Sequence, residues 1–258
     1  MPFTFAHPAI VLPLLNTRKR IFSASGLIIG SIIPDFESFI KWDEHKIYSH
    51  TWLGIFWFDL PLGIIVAFLF HGIVRNSFIY NLPAFIGDKF EVYTSFYWPA
   101  YFRKHFIIVI YSLLIGITSH LLWDAFTHLN LADPDATDSN IYWAGMRLYI
   151  FLQYSTSLIG LFIVAWYILK IPKARVQKTK HERMKYQITP SGGRKTNKTG
   201  FWILFMLIAS ITIILAIYLV DDPANVILLI HIAISGLLLS LIITPILSSL
   251  FDHRSLGR

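Results

Sequence analysis

Five stretches of this chain are too long and too apolar for a small water-soluble domain: Trp52–Val74, Phe106–Trp123, Tyr149–Leu169, Phe201–Val220 and Val226–Leu250. A helix needs roughly 20 such residues to cross a hydrocarbon core about 30 Å thick. Tyr149–Leu169 and Phe201–Val220 hold no Asp, Glu, Lys, Arg or His at all. Ahead of the five stand two shorter runs, Pro8–Leu15 and Ile21–Ile33, joined by Asn16-Thr17-Arg18-Lys19-Arg20. Too short to be assured spans, they are expected to form a re-entrant or tilted hairpin. The expected fold class is therefore all-α, a polytopic helical membrane protein with about five full transmembrane helices plus a short N-terminal helical hairpin.

Composition supports this reading. Hydrophobic residues make up 55% of the 258 positions and charged residues 14%, which excludes an ordinary cytosolic globule and a disordered chain alike. No Lys or Arg precedes the first apolar stretch and no small-residue cleavage site follows it, so a signal peptide is not expected. Cysteine is absent, and any metal must be held by His, Asp or Glu.

Lys and Arg in the loops give the orientation, because cytoplasmic loops are enriched in them. Lys170–Lys198 carries ten. With that loop in the cytoplasm and the sides alternating, 19 of 22 basic residues fall inside, and only Lys41, Lys46 and Arg147 fall outside. Ten of 15 acidic residues then fall outside. The expected location is the cytoplasmic (inner) membrane. The basic loop reads as flexible, solvated and facing lipid headgroups, so nucleic acid is not an expected partner. Gly193-Arg194-Lys195-Thr196 lacks the spacing of a phosphate-binding loop. Three domains follow: a membrane-embedded metal-site domain over 1–169, the basic loop over 170–200, and a two-helix membrane hairpin with its tail over 201–258.

In so apolar a chain the informative residues are the imidazoles and carboxylates near the spans, which cost several kcal/mol to bury unless paired or liganded. His120, Asp124 and His128 are spaced i, i+4, i+8 and share one helix face, a spacing suited to chelating a divalent ion. A capped helix end with satisfied histidines is the plainer alternative. His7 precedes Pro8, Asp35 follows Pro34 with Glu37 two residues on, and His50 stands just before the Trp52 span. The charge-derived topology puts His7, Asp35, His50, Asp124 and His128 at the outer boundary, with His120 about a turn deeper. That coincidence of depth predicts one shared metal site. A set of imidazoles and carboxylates suits zinc, with manganese or iron as alternatives.

Other polar residues have milder readings. His71, His105, His181 and His253 are expected as interfacial or surface groups on the cytoplasmic side, and His45 as solvated. His231 is expected either to support the cluster or to sit in the core, and Asp59 either to pair with His120 or another helix or to be structural. The aromatic segment Tyr93–Phe106 reads as an interfacial belt or amphipathic surface helix.

The opening Met1-Pro2-Phe3-Thr4-Phe5-Ala6-His7-Pro8, then Gly30–Glu37, Ser49-His50-Thr51 and Ser119–His128, resemble a bacterial and archaeal family of uncharacterised integral membrane proteins. That family is similar to LexA-regulated inner-membrane metal-dependent hydrolases. More distantly, the order His, Asp, His, His-x3-Asp, His resembles zinc-dependent phospholipase C and the zinc-dependent single-strand nucleases. The resemblance implies that Asp35, His50, His120 and Asp124 hold one zinc, that Asp124 bridges to another which His7 helps bind, and that His128 serves a further metal. It makes Asp35 the candidate catalytic base as well as a ligand. No His-x3-Glu motif follows His128 as it does in those enzymes, so one or two ions are expected.

Three functions follow from the sequence. The first is a metal-dependent hydrolase acting on a lipid-like or phosphoester substrate at the extracytoplasmic boundary. The second is a cation-binding transport protein, although Tyr149–Leu169 and Phe201–Val220 furnish a polar path poorly. The third is a structural membrane protein whose metal pins helices.

Overall fold

The computed structural model describes residues 3–16, 21–43, 46–128, 142–143, 146–173, 198–220 and 225–254. Nine helices occur among them: α1 (Pro8–Val11), α2 (Ala24–Gly30), α3 (Phe36–Lys41), α4 (Ile55–Asn81), α5 (Ala84–Phe90), α6 (Trp98–His128), α7 (Leu148–Lys170), α8 (Lys198–Leu219) and α9 (Val226–Arg254). Two-residue strands β1 (Tyr142–Trp143) and β2 (Met146–Arg147) pair antiparallel but are too short to make a layer. The protein is all-α, and α4, α6, α7, α8 and α9 are long and apolar enough to cross a membrane.

Helix ends differ from the hydropathy limits for a physical reason. Backbone hydrogen bonding continues past the last apolar residue, so α4 runs on through Arg75 and Tyr80 to Asn81. Within Tyr93–Phe106, read as an interfacial belt or an amphipathic surface helix, the chain passes from a 3₁₀ turn, Glu91–Ser95, into the opening turns of α6. His105, at φ −126° and ψ 28°, kinks that helix.

The chain forms two compact units. Met1–Phe68 with Pro99–Lys170 is the first. Its N-terminal hairpin is broken rather than continuous: 3₁₀ turns over Thr4–Ala6 and Leu12–Asn16 flank α1, and Ser23 caps α2 by accepting the Gly26 amide at 3.2 Å. Neither arm reaches spanning length. α2 lies against α6 at backbone distance, and a Cβ on Gly116 would sit 2.5 Å from the Leu27 carbonyl oxygen. Such close approach through small residues is how helices associate where lipid removes most of the hydrophobic drive. Leu27, Ile33, Leu113 and Ile117 fill the core of this contact. On α7, Gly160 makes room for Ala6, and Ser157 Oγ accepts the Phe3 amide at 2.8 Å.

Leu69–Trp98 with Ile171–Arg258 forms the second unit, built on the α8–α9 pair. Trp202 Nε1 donates to the Asn81 carbonyl at 2.9 Å, securing the end of α4. His71, expected as an interfacial or surface group, is half-buried and stacks on Trp98 at 4.3 Å, while Arg75 donates to His71 Nδ1 at 2.9 Å.

Candidate metal centre

The site lies within the first unit, and four separate segments build it. α6 supplies His120 and Asp124 one turn apart. The Gly30–Gly116 contact brings the end of α2 close enough for the Ser31 carbonyl to accept from His120 Nδ1 at 2.8 Å. A carbonyl can only accept, so Nδ1 carries a proton, which turns Nε2 towards the carboxylates. Pro34 starts a 3₁₀ turn, Ile33–Asp35, which delivers Asp35. Thr4, in the N-terminal turn, donates its hydroxyl to Asp35 Oδ2 at 2.5 Å.

His50 arrives by a different device. Trp42 adopts the left-handed conformation (φ 53°), ending α3 and reversing the chain. The returning loop then folds over Glu37, whose carboxylate accepts the amides of Ile47, Tyr48 and Ser49 at 2.8, 3.0 and 2.7 Å. Burial would raise the Glu37 carboxyl, but these donors outweigh it and hold it at about 2.

Asp35, His50, His120 and Asp124 each offer one donor atom, all within 4.8 Å of one another. His50 Nε2 lies 3.2 Å from Asp124 Oδ2, and His120 Nε2 lies 3.4 Å from Asp35 Oδ1 and 3.5 Å from Asp124 Oδ2. Bonds of about 2.0–2.1 Å, as zinc makes to N and O donors, give tetrahedral edges of about 3.3 Å. His120 Nε2 is buried and has no well-formed hydrogen bond. It faces two carboxylate oxygens, an arrangement that calls for a cation or proton between them. The donor set and its spacing therefore fit a divalent ion.

Every member but one is nearly sealed. The side chains of His120, Asp35 and Asp124 are 0%, 3% and 7% exposed, and His50, at 25%, is where the cluster meets the outside. Burial would raise the Asp35 carboxyl, yet the His120 imidazole and the Lys46 ammonium hold it far below the usual carboxylate range. Burial pushes His50 down, despite its bond to Asp124, towards the neutral form that ligates metals.

A family model described as a domain of unknown function, DUF4184, matches residues 1–246. The chain belongs to the DUF4184 family. No curated protein and no solved structure matches it.

In this DUF4184 chain, five of the six residues singled out in the sequence come together. His7 stands just outside the four-donor group: it stacks on His120 at 3.9 Å, and its Nε2 lies 3.3 Å from Asp124 Oδ1. His128 closes α6, and its side chain lies outside the described residues, as do His45, His181 and most of the Lys170–Lys198 loop. Asp59 makes no hydrogen bond to His120; it is fully buried in a π turn of α4, and among the described residues neither of its oxygens is hydrogen-bonded. His231 belongs to the second unit. Sequence reasoning missed Thr4, Glu37 as the loop's anchor, and Lys46. Lys46 Nζ donates to Asp35 Oδ1 at 2.5 Å and approaches His50 Nε2 at 3.1 Å. Only its departure from the inside bias of basic residues singled it out in the sequence.

Proposed function

We propose that this chain is a membrane-embedded, metal-dependent hydrolase whose site faces the extracytoplasmic boundary. The observation that carries the reading is the donor quartet, spaced for one divalent ion, with the His120 tautomer set by Ser31 and no thiolate in the set. Closed structural zinc sites are typically Cys/His sites, whereas hydrolytic ones use imidazole and carboxylate. The resemblance to LexA-regulated hydrolases and phospholipase C-like enzymes points the same way, as does the opening at His50. Zinc is the ion we favour, at one site or two, with His7 and His128 the residues for a second. When bound, such an ion lowers the pKa of a coordinated water to about 7 and polarises a phosphoryl or acyl oxygen.

Around it the residues have distinct work. Thr4 and Ser31 orient Asp35 and His120, and Glu37 pins the loop that carries His50. Asp35 serves better as ligand than as base, because its carboxylate is held too acidic to take up a proton readily near neutral pH. An apolar cleft of about 250 Å³ is lined by Ile10, Leu122, Trp123, Phe126 and Thr156, of which Trp123 lies one residue before Asp124. The Trp123 ring lies 5.7 Å from that of His7. A cleft of this kind favours an amphiphilic phosphoester with its chain among apolar walls.

One observation favours a second reading. Four protein donors would saturate a tetrahedral zinc, which is the habit of structural sites. Metal analysis of the detergent-purified protein, with His120→Ala and Asp124→Ala beside wild type, tests both. We expect about one or two transition-metal ions in wild type and loss of at least one in each variant. Wild type without stoichiometric metal sinks both readings. A screen of lipid phosphoesters then separates them: metal without turnover on any substrate leaves the structural role.

A further inference from the structure

Lys46 has no place in the metal quartet, yet it stands against it. Its side chain is 6% exposed, and Nζ lies within hydrogen-bond distance of two of the four donors. An ion bonded to Asp35 Oδ1 and His50 Nε2 at about 2 Å would claim the same space. His50 Nε2 is pulled in two directions, since Asp124 Oδ2 at 3.2 Å wants a proton on it and Lys46 at 3.1 Å wants a lone pair. One nitrogen cannot meet both demands. Replacing the ammonium by a divalent ion removes the conflict, because the bare lone pair then binds the ion and Asp124 becomes its neighbour in the ligand set.

Charge completes the argument. Asp35 and Asp124 together neutralise a divalent ion, so a displaced Lys46 leaves the centre with one positive charge in a largely buried setting. Such a surplus is costly without a partner anion. The lysine stem is tethered four residues from His50 and stays beside the centre. The charge therefore matches a singly charged phosphate oxyanion, as a phosphodiester carries, better than a neutral ester. Lys46 is also one of only three basic residues that the charge bias puts on this side of the membrane.

We propose that Lys46 is the exchangeable cation of this site, filling the centre when the ion is away and binding the anionic group of a phosphodiester when the ion is bound. The proposal rests on the metal reading above and deepens it by naming the substrate's charged group. Its test is Co²⁺ titration of the full-length protein in detergent, followed by visible absorption, in wild type, Lys46→Met and Lys46→Gln. Two variants are used so that one misfolded protein does not decide the matter, and monodisperse elution is required of each. Removing an internal competitor should tighten Co²⁺ by about tenfold or more. Inorganic phosphate and a short-chain phosphatidylglycerol are then added separately to the cobalt-loaded proteins. We expect at least one to shift the wild-type spectrum and to bind the variants about tenfold more weakly. A shift with the lipid alone names a headgroup as the source, and a shift with phosphate names the free ion. Variants that bind Co²⁺ no tighter than wild type overturn the exchange while leaving the metal reading intact. Tighter Co²⁺ with no loss of anion binding, or no anion response in wild type, overturns the anion role. If no protein gives a cobalt spectrum, the metal reading falls and this proposal falls with it.

Discussion

Asp35 and Glu37, two residues apart, illustrate how residue-level chemistry divides. Asp35 meets the quartet, whereas Glu37 spends its oxygens on three backbone amides and on Lys41 at 3.2 Å. Glu37→Gln should keep the shape but weaken the donors' hold, and support groups of this kind are worth roughly 10–100-fold in metal affinity. Metal titration of the variant checks this, and unchanged affinity would remove Glu37 from the site's support. The same residue has a signature in pH. Its carboxyl is held at about 2, below the usual 4.5, so its stabilisation is complete above the unfolded value and disappears as pH falls from about 4.5 to about 2. Thermal melts of wild type and Glu37→Gln should differ most above that window and converge on acidification through it. Asp59 makes the opposite case, being buried with no hydrogen bond to either oxygen. Asp59→Leu should raise stability by roughly 1–3 kcal/mol, because an unsatisfied buried polar group is removed. A loss of stability or of metal would instead give Asp59 a partner in the working protein.

Helix packing decides whether these residues can meet. Gly116 lies one turn before His120, and its lack of a side chain lets α2 come near enough for Ser31 to hold that imidazole. Gly116→Leu would drive a side chain into the Leu27 carbonyl, and overpacking of this sort costs about 1–3 kcal/mol or more. The expected result is a lower melting temperature together with weaker metal binding, while the conservative Gly116→Ala falls between. Retained metal affinity in a stable Gly116→Leu protein would break the link between this contact and the site. α4 and α6 were legible as spans because length and hydropathy are properties of contiguous residues. Their true ends were not, since Arg75, Tyr80 and Asn81 remain in the helix for hydrogen bonding that hydropathy does not measure.

At the scale of the whole molecule the open question is which way the spans run. Basic residues concentrate in Lys170–Lys198, which the charge bias places in the cytoplasm. Reporter fusions within that loop and at the C-terminus should read cytoplasmic, and a tag between α6 and β1, near Pro134, should read external. An external loop would invert the arrangement and put the candidate metal centre on the opposite side of the membrane from the one proposed. Much of the candidate site could be found from the chain alone: His7, Asp35, His50, His120 and Asp124 were singled out as scarce polar residues at span ends, and all five converge. Lys46 and Glu37 were not, because nothing in their local sequence separates a buried ligand or anchor from a solvated loop charge.

Sequence by itself determined the helical membrane class and the candidate ligands, because the bilayer acts on every residue of a span in the same way and makes each buried charge conspicuous. Only tertiary structure decided which atoms face one another. The Trp42 reversal, the Glu37 anchor and the α2–α6 approach bring groups from four segments to within a few ångströms, and such distances depend on packing between residues far apart in the chain. That packing also put Lys46 against two of the quartet's four donors, where charge patterning alone had left it as an outlier in a loop.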